Sequence, residues 1–545
     1  MRAADTSEQH EGPQSEADLR ARAGEYGLQH LETLPDSMLD SELVSELPVE
    51  WARSHAVLPV RYQGEIRLAI ADPTQLDTQQ YIALLLGEEP RPLLVPRDAL
   101  ADAIERCYYS RQDSPQAFLR DLHPEPDRAR PAQPDGPDDL LRVAEQAPVT
   151  QLVNLILLEA VKAGASDIHF EPFESRLRVR YRIDGMLYDQ TGPPKHMEQA
   201  LISRLKVMAR MDIAERRLPQ DGMARVRVGD REIDIRAATL PVAEGERMVL
   251  RLLDQEAALL PLCELGMPQA IRSQVQNLVR LTNGIVIVAG PTGSGKTTTL
   301  YAALREIDTT SNNVLTIEEP IEYQLPDISQ MQVRPKIGLT FANGLRHILR
   351  QDPDVILVGE TRDVETAQIA VRAAMTGHLV FTTLHTNDAP SAVGRLIDMG
   401  IEPFLLAASL RAVLAQRLVR RLCPACSRQA PAGPAQTALP AGWARDLDGA
   451  VLREPAGCQA CMNGFKGRTG VFELMTLDDP LRERIRVRAL ASNELRAAAA
   501  KAGMTSLAQN GLRLVREGIT GVQELLRCLG EALAPETAGT DETEG

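Results

Sequence analysis

The feature that most constrains the fold is a glycine-rich segment in the middle of the chain, Gly290-Pro-Thr-Gly-Ser-Gly-Lys-Thr297. It follows the apolar run 285–289 and precedes a segment that predicts a helix. A strand, such a loop and a helix in that order bind phosphate, because the glycines let backbone N–H groups turn inward and the helix N-terminus adds positive potential. A plain glycine-rich turn is the alternative. The pattern predicts a nucleoside triphosphate site in an α/β fold.

Each residue type in this loop has a predicted task. The Lys296 ammonium is expected to reach the β- and γ-phosphates, and the Thr297 hydroxyl to hold Mg²⁺. The other residues expected to contact the nucleotide are Gly290, Pro291, Thr292, Gly293, Ser294, Gly295 and Thr298.

Length and charge limit the class of protein. At 545 residues the chain exceeds the size of a single core, so we expect three or more domains. The formal net charge of −15 argues against a protein that coats nucleic acid, since phosphate binding needs clustered Lys and Arg. One basic run, Arg417–Arg421, is a candidate local patch, for which a solvated helix face is the preferred explanation.

Shifts in composition and periodicity divide the chain into segments. Alternating helices and apolar strands around the glycine-rich loop predict a doubly wound, RecA-like parallel sheet. A stretch rich in Pro, Asp, Glu and Arg predicts a linker, because it cannot bury enough apolar area to fold alone. The predicted segments are an α/β module at 1–110, a linker at 111–140, an Arg-rich domain at 141–254, the RecA-like domain at 255–420, a cysteine-bearing insertion at 421–466, a helical end at 467–534 and a disordered acidic tail at 535–545.

Two acidic segments follow apolar strands, as expected around a hydrolytic site. Hydrolysis needs one carboxylate to orient the attacking water and another to order Mg²⁺. The segment Thr316–Glu322 offers Glu318 and two further carboxylates, although an exposed acidic turn has the same composition. The apolar run 355–358 predicts a strand, and Glu360 follows its C-terminal end, the position of the acid in a Walker B segment. Arg362 lies two residues further on.

Two histidines flank a short apolar strand further along the chain, His378 before it and His385 after it. A lone histidine is more often a satisfied buried residue than a functional one. Two of them around one strand beside a phosphate loop favour phosphate sensing. We therefore predict that both lie close to the γ-phosphate.

These segments together resemble the secretion ATPase superfamily of bacterial type II secretion and type IV pilus motors. Its signatures are a Walker A loop, an acidic box, an unusual Walker B segment and a His box, and each is present. The acidic box departs at Glu319, where the family has Asp. The resemblance implies an ATPase that uses ATP and Mg²⁺, with Glu318 as the water activator and Glu360 as the acid of the Mg²⁺ shell.

Four upstream segments, 165–172, 180–185, 202–206 and 217–222, match the family's second N-terminal domain, an α/β unit of PAS-like type. The arginines on its alternating strands have two explanations. They form a solvated face, or, in a hexamer, they close on nucleotide held by another domain and supply charge at the transition state. The candidates are Arg204, Arg217 and Arg227 in this domain and Arg346, Arg350 and Arg362 in the RecA-like domain.

The cysteines predict a metal site. No run of 18 apolar residues and no signal peptide is apparent, so we expect the chain to stay in the cytosol, where thiols are reduced. Two C-x₂-C pairs then indicate structural Zn²⁺, with four thiolates and no open position, although their separation exceeds the common spacing. The predicted ligands are Cys423, Cys426, Cys458 and Cys461, while Cys107, Cys263 and Cys528 are expected to be packing residues.

The tetracysteine insertion and the following segment, Gly467–Glu473, resemble the type II secretion ATPase E family. This implies a homo-hexameric, peripheral ATPase on the cytosolic face of the inner membrane. Its first module would dock on the cytoplasmic domain of an inner-membrane secretion protein, and its ring on an inner-membrane platform protein, without nucleic acid. The alternatives are a type IV pilus assembly ATPase, a nucleic-acid translocase and, given Glu319, a nucleotide-gated adaptor without turnover.

Overall fold

In the computed structural model of the chain, the described residues are 23–40, 43–44, 47, 49–87, 90–108, 147–228, 231–254, 260–430, 443–487 and 492–530. The predicted linker at 111–140 and the predicted acidic tail at 535–545 lie outside these residues. Within the described ranges, none of the helices combines the length and the apolar character that a membrane span requires.

The first module is a small α/β unit, as predicted from its short helix and strand patterns. Its four strands are ordered β1-β4-β3-β2, with β2 antiparallel to β3 at one edge. Pro59 lies on this edge strand, where a residue without an N–H group is tolerated. The elements are β1 (Gln29–His30), a 3₁₀ turn (Asp36–Met38), α1 (Val49–His55), β2 (Val57–Tyr62), β3 (Glu65–Ile70), α2 (Leu76–Leu86), β4 (Arg91–Leu94) and α3 (Arg97–Tyr108).

The second domain is a six-stranded antiparallel sheet with two helices on one face. Its elements are α4 (Ala147–Lys162), β5 (Ala165–Pro172), β6 (Leu177–Ile183), β7 (Met186–Gln190), a 3₁₀ turn (Lys195–Met197), α5 (Glu198–Met208), β8 (Gln220–Val228), β9 (Arg231–Val242) and β10 (Gly245–Asp254), in the spatial order β7-β6-β5-β10-β9-β8. Burial alternates along β6, with apolar side chains inward and arginines on the opposite face. The helices cover the apolar face, so the arginines line the other.

The third domain contains the glycine-rich loop and a seven-stranded sheet, ordered β13-β12-β14-β15-β11-β16-β19. All neighbouring strands are parallel except β16 and β19. Its elements up to β16 are a 3₁₀ turn (Leu262–Glu264), α6 (Gln269–Leu278), β11 (Gly284–Ala289), α7 (Lys296–Leu304), β12 (Val314–Glu318), β13 (Ser329–Gln332), a 3₁₀ turn (Pro335–Ile337), α8 (Phe341–Ile348), β14 (Val355–Val358), α9 (Val364–Met375), β15 (Leu379–Leu384), α10 (Ala389–Asp398), α11 (Pro403–Ser409) and β16 (Leu410–Leu422).

The remaining elements are β17 (Arg428–Gln429), α12 (Trp443–Asp446), β18 (Arg453–Glu454), β19 (Phe465–Thr476), α13 (Asp479–Val487), α14 (Ser492–Lys501), α15 (Leu507–Arg516) and α16 (Val522–Leu529). Side chains of β11 pack alternately against α8–α11 on one face and α6–α7 on the other. Because both faces are apolar, polar chemistry is confined to the ends of the parallel strands.

The strand pair β16–β19 moves a predicted boundary. The predicted limit of the RecA-like domain at residue 420 falls inside β16, and the predicted helical end begins with β19, which is the last strand of the sheet. The cysteine segment is thus an excursion between two paired strands. The predicted helix face at Arg417–Arg421 is likewise wrong, because this run is a strand in which Arg417 is buried. Pairing with β11 and β19 overrides the local pattern.

Hydrogen bonds join the second and third domains near the turn after β6 and near β9. Asp184, in the turn after β6, accepts a hydrogen bond from the Gly467 N–H group at 2.8 Å. Arg236 of β9 donates to the Ile321 carbonyl and to the Glu322 carboxylate, the latter at 3.2 Å. The second contact joins the arginine-bearing face to the acidic segment after β12.

Candidate active site

The glycine-rich loop joins β11 to α7, as the sequence predicts, and two of its glycines, Gly290 and Gly295, lie close to atoms of Ser294 and Gln416. A Cβ at Gly290 would lie 2.5 Å from the Ser294 hydroxyl and 2.6 Å from the Gln416 carbonyl oxygen. Gly295 has a φ of 85°, and a Cβ there would lie 2.8 Å from the Gln416 amide nitrogen. The buried Ser294 hydroxyl has no hydrogen-bond partner in the described chain, which fits a loop shaped to receive phosphate.

Lys296 begins α7 and folds back over the loop. Its Nζ donates to the carbonyl oxygens of Gly290 and Pro291, at 2.8 and 3.0 Å. Burial lowers the pKa of Lys296 to about 8; the Arg417 charge lowers it further and the Glu360 carboxylate opposes the shift. The ammonium is therefore held at the mouth of the loop by neutral groups that a phosphate can replace.

A second cluster lies at the ends of β14 and β15. The Glu360 carboxylate is 2.6 Å from Arg362 Nε and 3.7 Å from His385 Nε2. Arg362 also approaches the Glu319 carboxylate, at 3.6 Å. The pKa of His385 is lowered, chiefly by burial and then by the Lys296 charge, so its imidazole is neutral at pH 7. The structure thus brings Lys296, Glu360, His385 and Arg362 to one edge of the sheet.

Glu318 ends β12, but its carboxylate is already engaged. One oxygen accepts hydrogen bonds from Thr316 and Gln330, at 2.6 and 3.1 Å, and the other accepts from the Tyr301 hydroxyl. The side chain is only 4% exposed. These three donors fix the Glu318 carboxylate. Thr316 is local, on the same strand, whereas Tyr301 and Gln330 come from α7 and β13, which no feature of the local sequence indicates.

His378 does not lie beside the loop. It precedes β15 whereas His385 follows it, and the six residues of that strand separate them by about 20 Å. Its Nδ1 lies 2.8 Å from the Ala373 carbonyl oxygen, at the C-terminal end of α9. The expectation that both histidines flank the phosphate is corrected, since a parallel strand presents only one of its ends to the site.

Of the six candidate arginines, Arg362 contacts a carboxylate of the site. Arg217 pairs with Glu215 before β8, and Arg227 lies 3.9 Å from Glu232 on the outer face of the second domain. Arg346 of α8 pairs with Glu365 of α9. Arg204 lies on α5 and the exposed Arg350 follows α8. Within one chain, the structure does not bring these five to the loop.

Three site residues were not identified from the sequence. Gln416 of β16 accepts a hydrogen bond from Thr299 of α7 at 2.7 Å. Arg417, the next residue, donates to the Asn387 carbonyl oxygen at 2.9 Å. Both lie beside the loop because β16 is the neighbour of β11, which no local pattern reveals. For Arg236, the alternating pattern of its strand indicated an arginine on the exposed face. Its partner Glu322 could not be identified because it is distant in sequence.

The four predicted cysteine ligands converge in space. Their sulfur atoms all lie within 4.8 Å of one another. The Cys423–Cys458, Cys426–Cys461 and Cys458–Cys461 sulfur separations are 3.9, 3.7 and 3.6 Å. Tetrahedral Zn²⁺ with bonds of about 2.3 Å to thiolate requires sulfur separations of about 3.8 Å, so the four thiols fit this ion.

Most of the chain matches one known family. The family model described as Type II/IV secretion system protein covers residues 142–527. The chain belongs to this family. A second model, the MshEN domain, matches residues 26–114, which span the first module.

Two relatives and one solved structure extend this result. Type II secretion system protein HxcR of Pseudomonas aeruginosa is 49% identical over 494 residues, 90% of this chain and 100% of the relative. Type IV pilus assembly ATPase PilB of Myxococcus xanthus is 41% identical over 506 residues, 92% of this chain and 89% of the relative. The structure of the ATPase DotB of Yersinia pseudotuberculosis shares the fold, with a TM-score of 0.52 at 22% identity over 69% of this chain and 93% of that chain.

The resemblance to the type II secretion ATPase E family is thereby confirmed, as is the prediction that the chain is an ATP hydrolase with a RecA-like core.

Proposed function

We propose that the chain is the ATPase motor of a type II protein secretion system, which hydrolyses ATP to drive pseudopilus assembly and protein export. The observation that carries this proposal is the family match over residues 142–527, which contains the whole cluster at the end of the parallel sheet. The high identity to a type II secretion protein over its full length supports the same assignment.

The geometry supports different roles for Glu318 and Glu360. Glu360 faces Lys296 and carries a neutral His385 beside it, so we propose that Glu360 orients the attacking water. Glu318, whose oxygens accept three hydrogen bonds, keeps the end of β12 in place instead of activating the water. Lys296 and Arg362 supply positive charge where negative charge develops on the phosphoryl oxygens.

The oxygen donors at this edge fit Mg²⁺, which prefers hydroxyl, carboxylate and phosphate oxygens. Thr297, in the first turn of α7, would hold the ion, and Glu360, whose charge acts on the adjacent Lys296, would meet its water shell. Mg²⁺ would neutralise charge on the β- and γ-phosphates. For the second metal, Cys423, Cys426, Cys458 and Cys461 would hold Zn²⁺ in a closed, structural site.

We propose a homo-hexamer at the cytosolic face of the inner membrane. The first module, which the MshEN domain model matches over residues 26–114, would dock on the cytoplasmic domain of an inner-membrane secretion protein. The ring would act on an inner-membrane platform protein. In such a ring Arg204, Arg217, Arg227, Arg346 and Arg350, which lie apart from the loop of their own chain, are candidates to act on a neighbouring copy.

A second candidate function is assembly of a type IV pilus, favoured by the 41% identity to an ATPase with that name. Complementation separates the two candidates. In the source strain lacking this chain, we expect the wild-type protein to restore export of secreted proteins, and Lys296→Ala to fail. Restored piliation with unchanged export would contradict the secretion assignment.

The enzymatic part is tested with purified full-length chain. We expect ATP-dependent phosphate release, stimulated by the cytoplasmic domain of the secretion partner and by anionic phospholipid vesicles. Lys296→Ala is expected to reduce it to background, a loss of about 10³-fold or more. Phosphate release that survives this substitution unchanged would contradict the assignment of the site, and stimulation by DNA in place of the partner would favour a translocase.

A further inference from the structure

A buried glutamate outside the active site connects the last helices of the chain to the catalytic edge. Glu473 lies on β19 and is 3% exposed. One carboxylate oxygen accepts the Ala389 N–H group at 2.8 Å, and the other accepts the Leu507 N–H group at 3.1 Å. These are the first residues of α10 and α15, so a single carboxylate ties two helix N-termini together.

The same turn is held at a second point. Asp388, the residue before α10, caps that helix by accepting the Ser391 N–H group at 2.8 Å. Its other carboxylate oxygen accepts a hydrogen bond from Arg496 of α14 at 2.7 Å. Asp388 is therefore held by Arg496 of α14, and the next residue, Ala389, is held by Glu473, which also binds the start of α15.

This turn is continuous with the catalytic edge. Asn387, one residue earlier, accepts hydrogen bonds from Arg417 at its carbonyl and side-chain oxygens, at 2.9 and 3.1 Å. Arg417 also donates to the Gln416 carbonyl oxygen at 3.0 Å, and this oxygen would lie 2.6 Å from a Cβ at Gly290 of the loop. His385, two residues before Asn387, lies 3.7 Å from Glu360. A displacement of the turn would therefore move His385 relative to Glu360 and Arg417 relative to the loop.

We propose that Glu473 is a positioning residue. Together with the Asp388–Arg496 pair, it couples the positions of His385 and Arg417 to the positions of helices α14 and α15. The expected change in kcat rests on the proposed ATPase function. The structural consequence, a fixed turn at residues 385–389, is independent of hydrolysis. The final helices thereby act on the rate of the chemical step without touching the nucleotide.

The charge on Glu473 matters because both of its partners are donors. Burial raises the pKa of Glu473, and the nearby Asp388 charge acts in the same direction; the two backbone N–H groups and the Arg496 charge lower it. In the variant Glu473→Gln, the side-chain amide would direct its own N–H groups at one of these backbone donors. One of the two helix contacts would be lost while side-chain volume is preserved.

The test compares two tether variants with a control, all in the full-length chain. Glu473→Gln is expected to lower kcat about tenfold, because small misplacements of catalytic groups are costly, while KM and the affinity for a fluorescent ATP analogue change by less than twofold. Arg496→Gln, whose side chain is 43% exposed, should lower kcat by about threefold. Glu483→Gln breaks an exposed pair with Arg486 on α13 and should leave all values unchanged.

Hydrogen–deuterium exchange at residues 385–389 gives a readout that does not need turnover. We expect faster exchange there in Glu473→Gln and Arg496→Gln, and none of this acceleration in Glu483→Gln. Unchanged exchange and kcat in Arg496→Gln would overturn the proposal, even if Glu473→Gln fails to fold. Equal losses of kcat and of nucleotide affinity would also overturn it. Absence of hydrolysis in the wild type, with exchange behaving as expected, would instead refute the proposed function alone.

Discussion

The seven-stranded sheet and the six-stranded sheet carry their polar groups in different places. In the seven-stranded sheet the strands around the loop are apolar on both faces, and polar groups gather where parallel strands end, at Glu318, Glu360 and His385. In the six-stranded sheet one face is covered by helices and the other is lined by arginines, such as Arg178 and Arg180, which surround the buried Glu171.

This difference has functional meaning. A strand end can be crowded with catalytic groups because each side chain comes from a different strand and all point to one place. A charged face is spread over several strands and presents a surface to another domain or another copy. We therefore expect substitutions at the strand ends to change chemistry, and those on the charged face to change docking.

The sharpest test within the catalytic edge compares its two glutamates. Glu360→Gln should lower kcat by about 10²–10³-fold, because the group that orients the water is lost. Glu318→Gln should lower kcat by only about tenfold, since it weakens the hydrogen bonds that hold β12. Steady-state hydrolysis with saturating ATP measures both effects. A larger loss for Glu318→Gln would restore the role that the sequence motif suggested for this residue.

The buried lysine should make binding depend on pH. In the free chain the Lys296 pKa is lowered to about 8, so the ammonium is present at pH 7 and is lost as pH rises through 8. We expect kcat/KM for ATP to fall about tenfold between pH 7 and 9, while kcat, which reports the nucleotide-bound state, changes less. If kcat/KM stays constant up to pH 9.5, burial does not lower the pKa of Lys296.

Arg236 tests the point where the two sheets meet. Arg236→Gln removes the contact with Glu322 and the Ile321 carbonyl oxygen and should lower kcat by about fivefold, because the acidic segment loses a tether. Arg225→Gln is the matched control: Arg225 pairs with Asp234 on the same sheet and is 64% exposed. Steady-state hydrolysis with equal losses in both variants would mean that general charge, and not domain contact, sets the rate.

The smallest expected effect concerns the two ends of β15. His385→Gln should lower kcat by about threefold, since a neutral hydrogen-bonding group remains beside Glu360. His378→Gln should change kcat by less than twofold in the isolated chain, because it lies at the far end of the strand. If His378→Gln is the more damaging variant when the protein is assayed as an oligomer, that end of β15 meets a neighbouring copy.

Much of the catalytic edge was accessible from sequence. The phosphate loop, the strand ending near Glu360 and the cysteine pairs are local patterns, in which residues close in sequence are also close in space. The partners of Glu318, the contribution of Gln416 and Arg417 and the inclusion of β19 in the sheet were not accessible. With the exception of the local partner Thr316, each depends on which strands and helices are neighbours, and that order is settled by packing across the whole domain.

Local sequence patterns establish the type of chemistry: a lysine and a threonine on a glycine-rich loop, an acid after an apolar strand, and four thiols in two pairs. Folding establishes which of the candidates meet. It placed His385 beside Glu360 and His378 at the other end of β15, and it engaged Glu318 with Tyr301. A parallel sheet presents one end of every strand to a site, and the order of those ends exists only in the folded sheet.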